Sequence, residues 1–217
     1  MFFTPARIVS DELLDEHDAP REDMERSLRD LRRINRYCGG IAIYRRLVRR
    51  FSPRSILDLG TGTSDLLESL PDVPLRIGLD FKLDHLLYGR GDARILRVVG
   101  DAKRLPFRDG AVDLVTSAHF FHHFSPEENE GILRESLRVA RSGVAVNDTR
   151  RHYAPLLLVL LLSWLRLVGR ITRYDAPASV RQGYTIEEAR AIAAKVPAAR
   201  RDVVRAWPFR LGILLWK

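Results

Sequence analysis

The sequence predicts a single α/β domain built on a mostly parallel β-sheet. Its 217 residues, of which 46% are hydrophobic, are enough for one full core and too few for two ordinary domains. From Arg54 onward, short apolar runs alternate with helical patterns, and this alternation is typical of βαβ units. Neither a fixed-period repeat nor a linker divides the sequence. We therefore treat residues 1–217 as one domain.

Two helices are predicted ahead of the first strand. The first begins after Pro20. Its apolar face carries Met24, Leu28, Leu31 and Cys38. Gly39 and Gly40 interrupt this helix, and a second apolar stripe then continues as far as Phe51. Residues 1–51 are thus expected to form an N-terminal helical arm.

Buried strands and amphipathic helices alternate in the central part of the chain. Short apolar runs predict parallel strands at 55–59, 75–79, 95–99, 112–116 and 144–146. Capping boxes mark two helix starts, Ser125 with Glu128 and Thr185 with Glu188. Gly143 is expected just past the end of the helix that Ser125 begins.

The last segment, residues 199–217, predicts two closing strands. Apolar residues alternate along it on both sides of Pro208: Val203, Val204, Trp207, Phe209, Leu211, Ile213 and Leu215. A hairpin of this kind would complete the sheet at one edge.

The charge balance and the cysteine count restrict the class of protein. There are 36 basic and 28 acidic residues, a formal charge of +8, and the excess is almost entirely arginine. A positive field attracts nucleic acids and anionic membranes, but these arginines are scattered among acids, which favours solvated helix faces. A single cysteine, Cys38, excludes an internal disulfide framework and a multi-cysteine zinc site. The N-terminus lacks a secretory pattern, so a cytoplasmic location is expected.

Glycines or acids follow three of the predicted strands. After strand 55–59, Gly60 and Gly62 form a turn into a helix, where backbone amides approach a ligand closely. Asp80 follows the second strand at about the spacing from Gly60 at which an acid meets ribose hydroxyls in dinucleotide folds. Asp101 follows the third strand. Because the carboxyl ends of parallel strands meet at one edge, these turns predict one ligand crevice.

The order of these motifs resembles that of class I S-adenosylmethionine-dependent methyltransferases, particularly the ubiquinone and menaquinone biosynthesis branch. The resemblance covers about residues 52–148 and rests on Asp58-x-Gly60-x-Gly62, Asp80, Gly100-Asp101-Ala102, Phe107-x-x-Gly110-x-x-Asp113, His122-His123-Phe124 and Arg138-Val139-x-x-x-Gly143. It implies a Rossmann-like class I fold with a seven-stranded sheet whose last strand is antiparallel. The sequence departs from the family at Ser64, where a third glycine is usual.

The resemblance also implies a cofactor, S-adenosylmethionine, with S-adenosylhomocysteine as its product. It implies that Gly60 and Gly62 lie beside the methionine portion. Asp80 would meet the ribose and Asp101 the adenine amine, and the residues after the fourth strand would lie beside the methyl group. The candidate cofactor-binding residues in the arm and in the core, 52–150, are Arg33, Asp58, Gly60, Thr61, Gly62, Asp80, Phe81, Asp101, Ala102 and Ser117.

His119 and His122 are candidate catalytic residues, because imidazole can take a proton from a hydroxyl acceptor near neutral pH. A packing or helix-entry role is the alternative. Methyl transfer from a sulfonium mainly needs an in-line approach in a dry pocket, so a base is not required. No metal site is expected, for want of a second ligand cluster at convincing spacing.

Residues 154–169 form an apolar stretch within 151–198, the segment expected to be a helical lid insertion. The stretch is too short to span a membrane. We hypothesise that it walls a pocket for an aromatic, quinone-like or polyketide-like acceptor, with Arg181 and Tyr184 as further catalytic candidates. The alternatives are a helix packed on the core or in a dimer interface, and contact with an anionic bilayer through the flanking arginines.

Two other functions remain open. The arginine excess would suit an RNA or DNA methyltransferase, although the Asn-Pro-Pro-Tyr, Asp-Pro-Pro-Tyr and Pro-Cys motifs of such enzymes are missing. A non-enzymatic S-adenosylmethionine-binding protein with the same fold is the second alternative. A dinucleotide dehydrogenase is disfavoured, because Asp65 stands where the third glycine of the G-x-G-x-x-G turn is needed.

Overall fold

A seven-stranded sheet forms the centre of the molecule. The structure is a computed structural model and describes residues 4–10, 12–15, 20–89 and 91–217. The strands are β1 (Ser55–Leu59), β2 (Leu75–Asp80), β3 (Ile95–Val99), β4 (Val112–Ala118), β5 (Ala140–Thr149), β6 (Arg200–Ala206) and β7 (Arg210–Trp216). Their order across the sheet is β3-β2-β1-β4-β5-β7-β6. Strands β1 to β5 pair in parallel, whereas β7 is antiparallel to both β5 and β6. The predicted fold class is confirmed, including the closing hairpin.

Strand β5 is longer than the sequence pattern indicates. The pattern predicts a strand at 144–146, but β5 begins at Ala140, directly after the preceding helix ends. The expectation that Gly143 lies just past a helix end is therefore wrong, because Gly143 pairs with Trp216 within the sheet. A β-carbon at Gly143 would clash with the carbonyl oxygen of Leu215, so the close approach of β7 requires glycine there.

Helices cover both faces of the sheet and cap its carboxyl edge. They are α1 (Arg21–Tyr37), α2 (Gly40–Arg49), α3 (Asp65–Glu68), α4 (Leu83–Tyr88), α5 (Pro126–Val139), α6 (Tyr153–Trp164), α7 (Arg170–Gln182) and α8 (Ile186–Ala194). Short 3-10 helices occupy Leu13–Asp15 and Phe121–His123. The break between α1 and α2 falls at Gly39, whose φ of 80° suits glycine. Both capping boxes form as predicted, at Ser125 and Thr185.

Alternating side chains of the central strands feed two apolar cores. In β1, Leu57 and Leu59 belong to the core that α5 and α8 cover, whereas Ile56 faces the core under α2 and α3. This alternation follows from the two-residue period of a strand. Because both faces are covered, all five residues of β1 are buried.

Helices α6 and α7 form most of the segment between β5 and α8. The apolar stretch forms α6, which ends at Trp164, and α7 follows from Arg170 and packs against it and against α1. Among the residues that the structure describes, no helix is both long and apolar enough to cross a membrane.

Candidate active site

A cavity of about 490 Å³ lies at the carboxyl edge of the sheet, where β1 to β4 end. The turn after each of these strands contributes to its lining, through Gly60 and Gly62, Asp80, Asp101 and His119. Leucines of α1 and the N-terminal segment form the opposite wall. The structure thus brings together the strand-end residues that the sequence placed at one edge. A neighbouring cavity of about 510 Å³ lies between α1 and α4 and contains none of the strand-end glycines.

The turn after β1 is shaped by left-handed backbone conformations. Gly60, Gly62 and Ser64 have φ angles of 63°, 51° and 60°. A β-carbon at Gly60 would clash with the ring of Phe120, so the turn and the ring can meet only at glycine. Ser64, at the position of the family's third glycine, is fully buried and adopts the same left-handed conformation. The turn therefore keeps a glycine-like shape at that position despite the serine.

Two carboxylates at strand ends face the cavity. Asp80 Oδ2 accepts a hydrogen bond of 2.8 Å from the Gly62 amide, and its Oδ1 accepts one of 2.9 Å from the Lys82 amide. Asp101 Oδ1 accepts a hydrogen bond of 2.9 Å from the Lys103 amide. A carboxylate offers about four acceptor sites. Both groups therefore keep acceptor capacity for a ligand, and Asp80 also ties the glycine turn to β2.

Asp58, Thr61 and Ser117 are buried and do not line the cavity. Asp58 Oδ1 accepts hydrogen bonds from the Tyr44 hydroxyl at 3.1 Å and from Thr116 Oγ1 at 2.6 Å. Burial raises the pKa of Asp58 to about 6, although these bonds oppose the rise. Among the described residues, the buried Ser117 Oγ has no hydrogen-bond partner. The hydrogen bonds of Asp58 therefore join the end of β1 to α2 and β4.

His119 lies on the cavity wall at the end of β4. Its Nε2 is paired with the Arg210 guanidinium, and its Nδ1 is 3.4 Å from Thr149 Oγ1. Burial and the charge of Arg210 lower the pKa of His119 well below its usual value. His119 is therefore neutral, and its Nε2 lone pair is already engaged by Arg210. In this arrangement a general-base role for His119 would require that pair to separate.

His122 is held between two carboxylates. Its Nδ1 lies 2.7 Å from Asp148 Oδ1, and its Nε2 lies 3.6 Å from Glu12 Oε1. Burial alone would lower the pKa of His122, but Asp148 and then Glu12 raise it to about 10. An imidazolium at neutral pH has no lone pair for a proton. The geometry therefore favours His122 as a fixed positive charge and a link between β5 and the N-terminal segment.

Glu12, His122 and His123 place potential metal-ligand atoms within 4.8 Å of one another. Glu12 supplies the additional ligand group that the sequence pattern around the histidines lacked. However, Glu12 Oε1 also accepts hydrogen bonds from Ser179 Oγ at 2.6 Å and Gln182 Nε2 at 3.2 Å. His122 is likewise held by Asp148, at 2.7 Å from its Nδ1, and by Glu12, at 3.6 Å from its Nε2. An internal ion-pair network accounts for this cluster.

The structure places the remaining candidate residues away from the cavity lining. Arg33 on α1 is 71% exposed and lies 3.6 Å from Asp30. Arg181, near the end of α7, is exposed. Tyr184 is buried in the core, where its hydroxyl donates a 2.6 Å hydrogen bond to the Phe124 carbonyl. Tyr184 therefore supports the turn after β4 from within the core. Nor does α6 line the cavity.

Motif reading missed the residues that close the cavity from the N-terminal side. Glu12 and Leu14 line it, and the segment that carries them is tied down by Asp175, which accepts from the Leu13 and Leu14 amides at 2.8 Å and 3.0 Å. Ser179 on α7 lines the same wall. No local pattern marks these residues, because their partners lie more than 100 positions away in the sequence.

Comparison with known proteins gives a family match over the strand-end motifs. Residues 57–146 match the family model described as a methyltransferase domain. A demethylmenaquinone methyltransferase of Roseiflexus sp. (strain RS-1) is 37% identical over 110 residues, which are 46% of this chain and 45% of that protein. The chain thus aligns with about half the length of this curated relative.

Solved structures show the same fold over most of the chain. A SAM-dependent methyltransferase from Aquifex aeolicus has a TM-score of 0.63 at 18% identity, covering 88% of this chain and 97% of that one. The plantazolicin methyltransferase BpumL, solved with a pentazolic desmethylPZN analogue and S-adenosylhomocysteine, has a TM-score of 0.68 at 14% identity, covering 92% of this chain and 91% of that one. Both likenesses support the class I fold.

Proposed function

Because residues 57–146 form a class I methyltransferase domain, we propose that this protein is an S-adenosylmethionine-dependent methyltransferase that acts on a small hydrophobic acceptor. The family resemblance drawn from the motifs is confirmed. The observation that carries the proposal is the cavity at the carboxyl edge, where the Gly62 amide is bonded to Asp80. Open α/β sheets bind their ligands at this edge.

The cavity lining fits the chemistry of S-adenosylmethionine. The ribose offers two hydroxyl donors, and Asp80 keeps acceptor sites on the cavity side of its two backbone bonds. Asp101 would accept from the adenine amine. Phe81, which lines the cavity and is 69% exposed, offers an apolar ring surface for the flat base. A β-carbon placed at Gly62 would have no neighbouring atom within 4 Å, so the turn leaves room for a ligand to approach the backbone closely.

When bound, S-adenosylmethionine supplies an electrophilic methyl group on a sulfonium. The work of the chain is then to bind, to orient and to exclude water. The guanidinium of Arg210, paired with His119 of the cavity wall, places a positive charge behind that wall. A positive charge there would favour the deprotonated form of a phenolic acceptor. This role needs no free base in the wall.

The acceptor is proposed to be an aromatic, quinone-like or polyketide-like molecule. Apolar side chains of the N-terminal segment, α1 and the turn after β4 line the cavity: Leu14, Leu28, Leu31, Phe120 and Phe124. The name of the Roseiflexus relative points to the same class of acceptor. These walls replace α6, Arg181 and Tyr184 as the proposed acceptor site. A cytoplasmic location remains a prediction.

Transfer of tritium from methyl-labelled S-adenosylmethionine tests the proposal. The purified chain is incubated with reduced hydrophobic quinols and phenols, with hydrophilic metabolites and with transfer RNA. We expect label in the quinols or phenols alone. Label in the transfer RNA alone would favour the nucleic-acid methyltransferase, and cofactor binding without any transfer would favour the non-enzymatic protein.

A pair of leucine variants locates the acceptor wall. Leu31→Ala, in the cavity lining, should raise KM for the quinol with little change in the KM for S-adenosylmethionine, because it removes apolar surface opposite the strand ends. Leu157→Ala on α6, which does not line the cavity, is the matched control when the quinol is supplied in solution without a membrane. A larger effect from Leu157→Ala than from Leu31→Ala would return the acceptor to α6.

A further inference from the structure

Helix α6 exposes an unusual amount of apolar surface. Only Pro155 and Leu156 of its 12 residues are buried. Leu157 is 64% exposed, Leu161 is 50% exposed and Trp164 is 78% exposed. Further exposed apolar residues on the helix and just after it are Leu158, Leu160, Leu165 and Leu167. A contiguous apolar surface of this kind on a soluble domain marks an interaction site.

The sequence on either side of α6 is basic. Between Asp148 and Asp175 the sequence contains no acidic residue and five arginines, Arg150, Arg151, Arg166, Arg170 and Arg173. Arg166 lies just beyond the C-cap residue of the helix, Leu165, and is exposed. Arg151 and Arg170 already pair with Glu188 and Asp23, which leaves the others to set the local charge. An apolar face with basic flanks is complementary to an anionic bilayer.

Exposed aromatic side chains surround the same face. Trp164 ends α6, and Tyr153 at its start is 43% exposed. Trp207 is 81% exposed and lies near the start of α6, because its ring is 5.8 Å from Phe209, which in turn stacks on His152 at 5.7 Å. Tryptophan and tyrosine prefer the boundary between lipid and water. Their position at both ends of α6 suits a helix lying in that boundary.

We propose that α6 docks the protein on an anionic lipid bilayer, with its leucines in the outer part of the acyl region and its flanking arginines at the headgroups. The helix lies on the surface and does not cross, since 12 residues are too few to span it. A second copy of the chain fits this face less well, because a two-fold contact would bring two arginine-rich rims together.

Docking would place the cavity near the membrane. Helix α6 begins just after β5 and packs against α7, and α7 contributes Ser179 to the cavity wall. A hydrophobic acceptor dissolved in the bilayer would then reach the cavity without crossing water. This delivery role rests on the proposed function, whereas docking itself does not and is measured without S-adenosylmethionine.

Flotation of the full chain with vesicles tests the docking. The wild type should float with vesicles of 30% phosphatidylglycerol in phosphatidylcholine, and 0.5 M salt should weaken this binding. The double variant Leu157→Glu/Leu161→Glu should bind roughly tenfold or more weakly, because it places two charges in the apolar face. Leu96→Glu, at a leucine 53% exposed on the edge strand β3, is the matched control and should float like the wild type.

Three outcomes would overturn the docking. One is absence of the wild type from the vesicle fraction. Another is equal loss of binding in Leu96→Glu and the double variant, which would indicate nonspecific charge repulsion. The third is a dimer in analytical ultracentrifugation that the double variant dissociates while vesicle binding is absent, which would assign the face to a second copy. Unfolding midpoints of both variants close to that of the wild type confirm that each is folded.

Discussion

Helices α5 and α6 have similar lengths, 14 and 12 residues, and opposite environments. Helix α5 carries one apolar stripe, begins at a capping box and buries Ile132 and Leu133 completely against the sheet. Helix α6 is apolar on nearly every side, yet it leaves most of its leucines exposed. The period of the apolar residues, more than their number, therefore specifies a packing partner.

The largest expected difference between the two helices is in how much their leucines contribute to the free energy of unfolding. Leu133→Ala in α5 should lower the free energy of unfolding by about 2 to 5 kcal/mol, because it opens a cavity in a fully buried core. Leu161→Ala in α6 should change it by less than about 0.5 kcal/mol, since the side chain is half exposed. Urea denaturation monitored by circular dichroism measures both. Equal losses would mean that α6 is packed as tightly as α5.

The sheet also contains a buried carboxyl group, Asp58 of β1, whereas the exposed face of α6 has no such group. Burial raises the folded pKa of Asp58 to about 6, above the ordinary value of 3.8. A carboxyl group with a raised folded pKa contributes stability that is complete below 3.8 and is lost as the pH rises through 6. The variant Asp58→Asn lacks this loss.

The stability difference between Asp58→Asn and the wild type should therefore shift in favour of the variant between pH 4.5 and 7.5. The shift is about 2 kcal/mol, from the two pKa values and 1.36 kcal/mol per pKa unit. Groups that titrate equally in the wild type and in Asp58→Asn cancel in the difference between their free energies of unfolding. A difference that is independent of pH would contradict the raised pKa.

The smallest expected effect concerns the hydrogen bonds at the starts of α5 and α6. Ser125 Oγ accepts a 3.2 Å bond from the Glu128 amide at the start of α5, and His152 Nδ1 accepts a 3.0 Å bond from the Ala154 amide at the start of α6. Ser125→Ala should cost about 1 kcal/mol, because the α5 start is coupled to the core. His152→Ala should cost less in global unfolding. A larger cost for His152→Ala would show that α6 folds cooperatively with the sheet.

Local signals account for most of what the sequence predicted correctly. The capping boxes at Ser125 and Thr185, the break at Gly39 and the start of β1 depend on neighbours within a few residues. The same holds for the strand-end residues Gly60, Gly62, Asp80 and Asp101, because parallel topology brings successive strand ends to one edge.

Features that depend on distant partners were not predictable in the same way. Glu12 reaches the cavity because Ser179 and Gln182 lie opposite it in the fold. The charge state of His122 depends on Asp148, which is 26 residues away on β5. The hypothesis that α6 walls the cavity used hydrophobicity without a period, which does not identify the surface that a helix faces.

Binding of S-adenosylhomocysteine tests whether the cavity at the carboxyl edge of the sheet holds the cofactor. Isothermal titration should show one site in the wild type, and Asp80→Ala should weaken it roughly tenfold to a hundredfold, the equivalent of about 1.5 to 3 kcal/mol for a hydrogen bond to a charged group. Asp72→Ala, an exposed aspartate outside the cavity lining, should leave the dissociation constant unchanged. An equal dissociation constant in folded Asp80→Ala, or no binding to the wild type, would contradict the assignment of this cavity as the cofactor site.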